Sequence, residues 1–259
     1  MKYLSKYSPF LFASLVALAV TPVIKAQTPL NIDPQAENLL RQTSNYLQQQ
    51  KFYRFQADIT FDDVVPPDFK LQYHSTAQVM VQRPDKFRVD YTGDRRRMNF
   101  YFNGKNLTIF DLDANVYGSL PLPENIDTAL NKIDTNYSFV VPLADLIHSD
   151  PYQALASKIK TGYYLGKSTI GGVSTHHLAF SQENIDWQIW LEDSKRPLPR
   201  KLVITYKNLP GSPQYSAIFS NWEFKPLDAS LFEFKAPGNA NSIEIIPSLK
   251  PGNNPQQKQ

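Results

Sequence analysis

The chain has 259 residues, 20 prolines and no cysteine, which excludes disulfide frameworks, thiolate metal sites and a thiol nucleophile. Its formal net charge of +3 belongs to the N-terminus: Lys2, Lys6 and Lys25 precede Gln27 with no acid among them, and the other Lys and Arg residues balance the 24 Asp and Glu. A nucleic-acid partner needs a basic excess that outlasts maturation, so that class is set aside.

The opening MKYLSKYSPFLFASLVALAVTPVIKA has two early lysines, an apolar run from Phe10 to Val20 and a small residue at Ala26. That is the pattern of a secretory signal, and its apolar centre is short for a membrane span. The expectation is a cleavable signal over residues 1–26, one domain over residues 27–246 and a disordered tail over residues 247–259. Export to the periplasm follows, without a permanent membrane anchor, since no cysteine can take a lipid.

The first mature element reads as a helix over about 34–50. Asp33 is a good N-cap, Pro34 suits the first helical position, and Ala36, Leu39, Leu40, Thr43, Tyr46 and Leu47 make one apolar face. From Phe52 the period becomes two. Phe55, Ala57, Ile59 and Phe61 share a face, as do Ala77, Val79 and Val81, then Phe87, Val89 and Tyr91, then Met98, Phe100 and Phe102. Asn103-Gly104 is a strong hairpin signal, and five or six strands in succession predict an antiparallel meander. Between Glu124 and Ser157 the spacing predicts two or three short helices. Strand pattern returns at Gly162 and runs through HHLAF, WQIWL, KLVITY and YSAIFSNWEF.

Within WQIWLEDSKRPLPRKLVITY, the segment RPLPR could be a ligand for an aromatic groove or a turn. It is held at both ends by apolar strands, where proline's missing donor does no harm, so it is read as a turn.

IGGVSTHHLAF, DWQIWLEDSKRPLPRKLVITYKNLPGSPQY, FSNWEF and LFEFKAPGNA together resemble the predicted periplasmic proteins of domain-of-unknown-function family 2092. The resemblance covers about Gln35 to Ala240 and is densest after Gly171. RPDKFRVDY and FYFNGKNLTIFDLDANVY resemble early strands of the lipoprotein carriers and receptors LolA and LolB. That resemblance implies an α+β fold: a strongly curved antiparallel sheet, an open barrel, with a leading helix and short helices on its concave side. The lipidated receptors differ in carrying an anchor that this cysteine-free chain lacks.

No motif for catalysis stands out. There is no G-x-S-x-G elbow, and His176 and His177, adjacent on a strand, point to opposite faces and cannot close on one metal. His74 and His148 have no acidic partner at a recognisable ligand spacing. The chain is therefore expected to be non-enzymatic, without metal or cofactor. Arg95-Arg96-Arg97 follows a turn: the bland role is a charged edge that discourages strand pairing, the sharper one a contact with anionic lipid or a membrane. The candidate ligand surface is the set of large inward rows, Phe87, Val89, Tyr91, Met98, Phe100, Phe102, Trp187, Ile189 and Leu191. Most of these belong to a core, but a concavity the helices leave open would take a hydrocarbon at about 0.8 kcal/mol per methylene. The expected function is binding or carrying of a lipid, acyl chain or lipidated protein. The alternative is an interaction or sensing module that takes an envelope protein's peptide on a sheet edge.

Overall fold

The computed structural model describes residues 31–247 other than residues 68 and 138. The expected signal segment and all but the first residue of the expected tail lie outside the described residues. Strand β1 (Asn31–Ile32) leads into α1 (Pro34–Gln48), whose first turn is capped by Asp33 accepting from the Gln35 amide at 2.8 Å. The meander follows: β2 (Phe52–Val65), β3 (Phe69–Gln82), β4 (Lys86–Gly93), β5 (Arg97–Phe102), β6 (Asn106–Asp111) and β7 (Val116–Pro121). Helices α2 (Ile126–Asn136), α3 (Ala144–Ile147) and α4 (Pro151–Ala156) occupy the middle. A second meander, β8 (Thr161–Ile170), β9 (Val173–Ser181), β10 (Ile185–Glu192), β11 (Pro199–Tyr206) and β12 (Gln214–Glu223), completes the domain before the two-residue β13 (Asn241–Ser242).

All the strands form one sheet in the order β1-β8-β9-β10-β11-β12-β2-β3-β4-β5-β6-β7-β13. β12 joins the two meanders by pairing antiparallel with β2, while β1 and β13 sit parallel on the margins and do not meet. The sheet is curved and unclosed. Because β7 and β8 lie near opposite margins, the chain between them must cross the concave side, and that crossing is α2, α3 and α4. The turn after β5 has the expected chemistry: Gly104 takes φ +83°, and the Asn103 side chain accepts from the amides of Lys105 and Asn106.

The core is the concave face packed under the helices. Phe55, Val79, Phe87, Phe102, Phe219 and Leu191 meet Leu40 and Leu47 of α1, Leu130 and Ile133 of α2, and Leu146 and Ile147 of α3. RPLPR is a buried connection. Leu198 is 2% exposed, the Pro197 carbonyl accepts from Thr43 at 2.7 Å, and the Pro199 carbonyl accepts from the Trp222 indole at 3.2 Å. Arg196 is exposed, whereas Pro197, Leu198 and Pro199 are buried and are not presented as a peptide ligand.

The convex face carries a strap that the sequence did not announce. After β12 the chain crosses β4 through a 3-10 turn, Ala229–Phe232, whose Leu231 carbonyl accepts from Arg88 at 3.3 Å. Phe232 is wholly buried, and Phe234 lies against Tyr101, Phe110 and Tyr117 on three neighbouring strands. The strap ends at β13 on the β7 margin, and beyond it Ile245 packs on the inner face, where a side chain on Gly118 would stand.

Candidate functional site

Alternate side chains of every strand face the concavity, so burial along a strand reports its depth. From β10 round to β5, inner positions at one end are buried: Trp187, Leu202, Ala217, Ile59, Ala77, Val89 and Phe100. Toward the other end they are only half-buried: Ile185, Ile204, Tyr206, Tyr215, Phe61, Tyr73, Tyr91 and Met98. Across the ladders Ile185 faces Tyr206, Ile204 faces Tyr215, Tyr215 faces Phe61 and Phe61 faces Tyr73, while Tyr91 and Met98 form a separate pair, with Tyr91 opposite Ala77. The helices therefore bury the inner face fully at one end of these strands and only partly at the other, the mouth, while on the β8–β9 side α4 reaches that end too, its Leu155 carbonyl accepting from the Gln182 side chain. Exposed Val65 and Phe69 at the β2–β3 hairpin and Leu209 after β11 extend greasy surface at that end.

Of the nine candidate residues, Phe87, Val89, Phe100, Phe102, Trp187, Ile189 and Leu191 lie at the buried depth. Phe87 and Phe102 pack with ring centres 5.3 Å apart, and Trp187 stacks on Phe180 at 4.3 Å. Tyr91 and Met98 stand in the open row. Sequence reasoning left out Ile185, Ile204, Tyr206 and Tyr215 of that row. Their inward parity was readable, but their exposure depends on where α2 to α4 fall.

Helix α3 lies across the interior between the two ends. Toward the sealed end the Leu146 carbonyl accepts from the Tyr53 hydroxyl at 2.8 Å, and Arg83 donates to Tyr53 and to the Ile147 and His148 carbonyls. Burial pushes the Tyr53 phenol up to about 12 despite the Arg83 charge. Asp145 on the same helix is exposed to water yet closely surrounded by protein. That desolvation raises its carboxyl, the His148 charge opposes it, and Asp134 adds to it. Tyr215 is raised by burial and then by the nearby Tyr91, Tyr206 and Asp145; Tyr206 is raised by burial and by Asp145. Asp145 thus bears on Tyr206 and Tyr215 through its charge. Burial also acts upward on Asp127 of α2, but hydrogen bonds from the Ser149 hydroxyl and amide, with the charges of His148 and Arg83, hold its carboxyl below the usual range.

The arginine run lies on the turn between β4 and β5 at the mouth end. Arg95 pairs with Asp63 at 2.8 Å and covers the Tyr73 ring, and Arg97 pairs with Asp113 at 2.7 Å. Arg96 instead approaches the Met98 sulfur at 3.5 Å. The histidines have acidic neighbours that sequence spacing did not show: His74 lies 3.1 Å from Asp58, His148 3.3 Å from Asp127 and His176 3.0 Å from Asp193. His176 also meets the Tyr164 hydroxyl at 3.0 Å, while His177, on the opposite face, bonds Gln188 and stacks on Trp190. No group of three or more His, Asp or Glu side chains among the described residues is arranged to hold a metal ion.

A depression of about 390 Å³ lies where β12 bulges beside β2, lined by Arg54, Phe55, Gln56, Gln78, Asn221, Trp222 and Glu223. It is polar and is bridged by the Arg54–Glu223 ion pair at 2.8 Å. The nine candidate residues do not line it.

A curved, unclosed antiparallel sheet with helices across its hollow and an apolar mouth defines the architecture. The chain belongs to the family described as "Predicted periplasmic protein (DUF2092)", whose model matches residues 36–246. The periplasmic address expected from the sequence agrees with that description. No curated protein matches the chain. Among solved structures it is similar to an uncharacterized conserved protein from Thermus thermophilus, at 11% identity over 81% of this chain and 99% of that one, with a TM-score of 0.47. It is also similar to the Mycobacterium tuberculosis lipoprotein LppX, at 13% identity over 76% and 99% of the two chains, with a TM-score of 0.42. A LolA superfamily protein from Nitrosomonas europaea is similar at 12% identity over 77% and 97%, with a TM-score of 0.40. No helix among the described residues is long and apolar enough to cross a membrane.

Proposed function

We propose that this periplasmic protein is a non-enzymatic binder or carrier of a lipid, an acyl chain or a lipidated protein, taken at the mouth of its curved sheet. The observation that carries the reading is the half-buried inner row from Ile185 to Met98. A folded chain gains nothing by leaving large aromatic and aliphatic side chains partly wet unless something covers them. The seven buried candidates, from Phe87 to Leu191, serve as the floor, and Tyr91 and Met98 touch the hydrocarbon. An acyl chain gains about 0.8 kcal/mol for each methylene it buries there.

Titration with a fluorescent acyl probe tests this. Wild type binds it, and Ile204→Glu, which sets a charge in the half-buried row, weakens binding at least about tenfold in a variant whose circular dichroism shows it folded, the equivalent of one or two methylenes with the wall made polar. Equal affinity in the two proteins contradicts the reading. The anionic contact of Arg95, Arg96 and Arg97 belongs to the same proposal, weakened by the carboxylates that already pair two of the three. Neutralising all three lowers co-sedimentation with acidic liposomes; unchanged sedimentation removes this part alone.

Strand addition has one observation in its favour. β1 covers only Thr161 and Gly162 of β8, and Tyr163 and Leu165 beyond them are exposed. The register shift between Tyr164 and Lys167 breaks that edge early, as protected edges are broken. Capture of a stoichiometric protein with no lipid in the eluate would favour this second reading.

A further inference from the structure

The depression beside β12 is polar where the mouth is apolar, and it lies on the other face of the sheet. Phe55 points inward, so its neighbours Arg54 and Gln56 point outward, and Gln78 stands opposite Gln56 across the β2–β3 ladder. The hollow opens where the β12 register slips between Ser220 and Glu223, with Asn221 in the left-handed region at φ +53°. A bulge of this kind bends its strand and re-aims side chains, and left-handed residues other than glycine gather at binding sites. The volume of about 390 Å³ falls within the range of small-ligand sites, about 300–1,000 Å³. A second hollow of about 140 Å³ continues past the Arg54–Glu223 pair along Lys225, Pro226 and Leu227.

What the depression offers is amide chemistry. The Asn221 amide donates to the Gln56 side-chain oxygen, which leaves the Gln56 amide nitrogen without a partner among the described residues. The half-buried Gln78 side chain has no hydrogen bond there at all. Arg54 directs one nitrogen to both Glu223 oxygens, at 2.8 and 2.9 Å, so each charge is spent on the other. A free anion or cation therefore gains little, and a hydrocarbon would strip water from amides it cannot bond. Both β2 and β12 are interior strands with neighbours on either side, so no sheet edge is open to an extended peptide. The chemistry left is an uncharged polyol, whose adjacent hydroxyls donate and accept as carboxamides do. We propose that the outer depression is a glycan-binding site, in which the Gln56, Gln78 and Asn221 amides and the Arg54 nitrogens that Glu223 leaves free engage neighbouring sugar hydroxyls. The site stands whether or not a hydrocarbon enters the mouth on the opposite face.

Titration with three uncharged disaccharides, maltose, cellobiose and diacetylchitobiose, tests this through the side-chain amide signals of the isotope-labelled protein. At least one of them moves the Gln56, Gln78 and Asn221 signals together, with a Kd of about 1 mM or tighter, and leaves Gln188 on β10 unmoved. Gln78→Ala weakens that binding at least about fivefold, as the loss of one or two hydrogen bonds does. Because the Gln78 amide holds no partner in the fold, the variant melts at the wild-type temperature. No movement with any of the three up to about 50 mM, or full affinity in Gln78→Ala, overturns the proposal. Movement of the same signals by dialanine and by none of the sugars overturns it in favour of a peptide.

Discussion

Asp127 and Asp145 stand on neighbouring helices and titrate in opposite senses, and the difference states what each does. Asp127 closes the helical crossing by accepting from the Ser149 amide at 2.8 Å and from its hydroxyl, with His148 beside it. Its folded pKa is depressed below 3.8, so the folded protein binds this proton less readily than the unfolded chain. The stabilisation is fully present above the ordinary aspartate range and is lost as the pH falls through the lower, folded value. Asp145 has a raised pKa, so its ionisation works against the fold: the stability present below the ordinary aspartate range is lost as the pH rises through the higher, folded value. Denaturant unfolding of wild type and Asp127→Asn between pH 7 and the acid limb checks the first of these. The variant is less stable at pH 7 and the two curves converge in acid; a constant gap down to the acid limb contradicts the assignment. Neither role was visible in the sequence, where His148 and Asp127 are separated by a helix and a loop and show no ligand spacing.

The strap rounds the β7 margin at β13, and the segment beyond it seats Ile245 on the inner face at Gly118. A Cβ there would stand 2.5 Å from Ile245 Cγ1, so Gly118→Leu must push Ile245 out. Overpacking of this kind costs about 1–3 kcal/mol. The expected result is faster proteolysis between Phe234 and the C-terminal end, with the sealed core intact; wild-type proteolysis would mean the strap is fixed elsewhere. The two meanders and the helices were legible because each carries a repeated local signal. Phe55, Ala57, Ile59 and Phe61 alternate, Asn103-Gly104 marks a turn, and Asp33-Pro34 starts a helix. The strap was not legible, because Phe232 and Phe234 act singly in a segment without a period. Two-residue strands such as β1 and β13 are too short to have one at all.

On the scale of the molecule, strand parity tells which residues face the hollow but not how deep they lie. Val89 and Tyr91 sit on one face of one strand, and so do Phe100 and Met98, yet in each pair only the second is half-exposed. The difference comes from the crossing between β7 and β8, which reaches both ends of the hollow beside β8 and β9 but leaves Tyr91 and Met98 on β4 and β5 only partly covered. The curved sheet could be anticipated from the family resemblance, whereas the division of its concave face into a packed floor and an open mouth needed the positions of α2 to α4. That division is the central claim, and paramagnetic relaxation from an alkyl chain carrying a nitroxide near its tail tests it most directly. The account predicts strong broadening at Ile185, Ile204, Tyr215 and Met98 and little at Leu178, Leu107 and the outer residues Gln56 and Asn221. Broadening centred on the depression beside Trp222, or spread evenly over the surface, would contradict it.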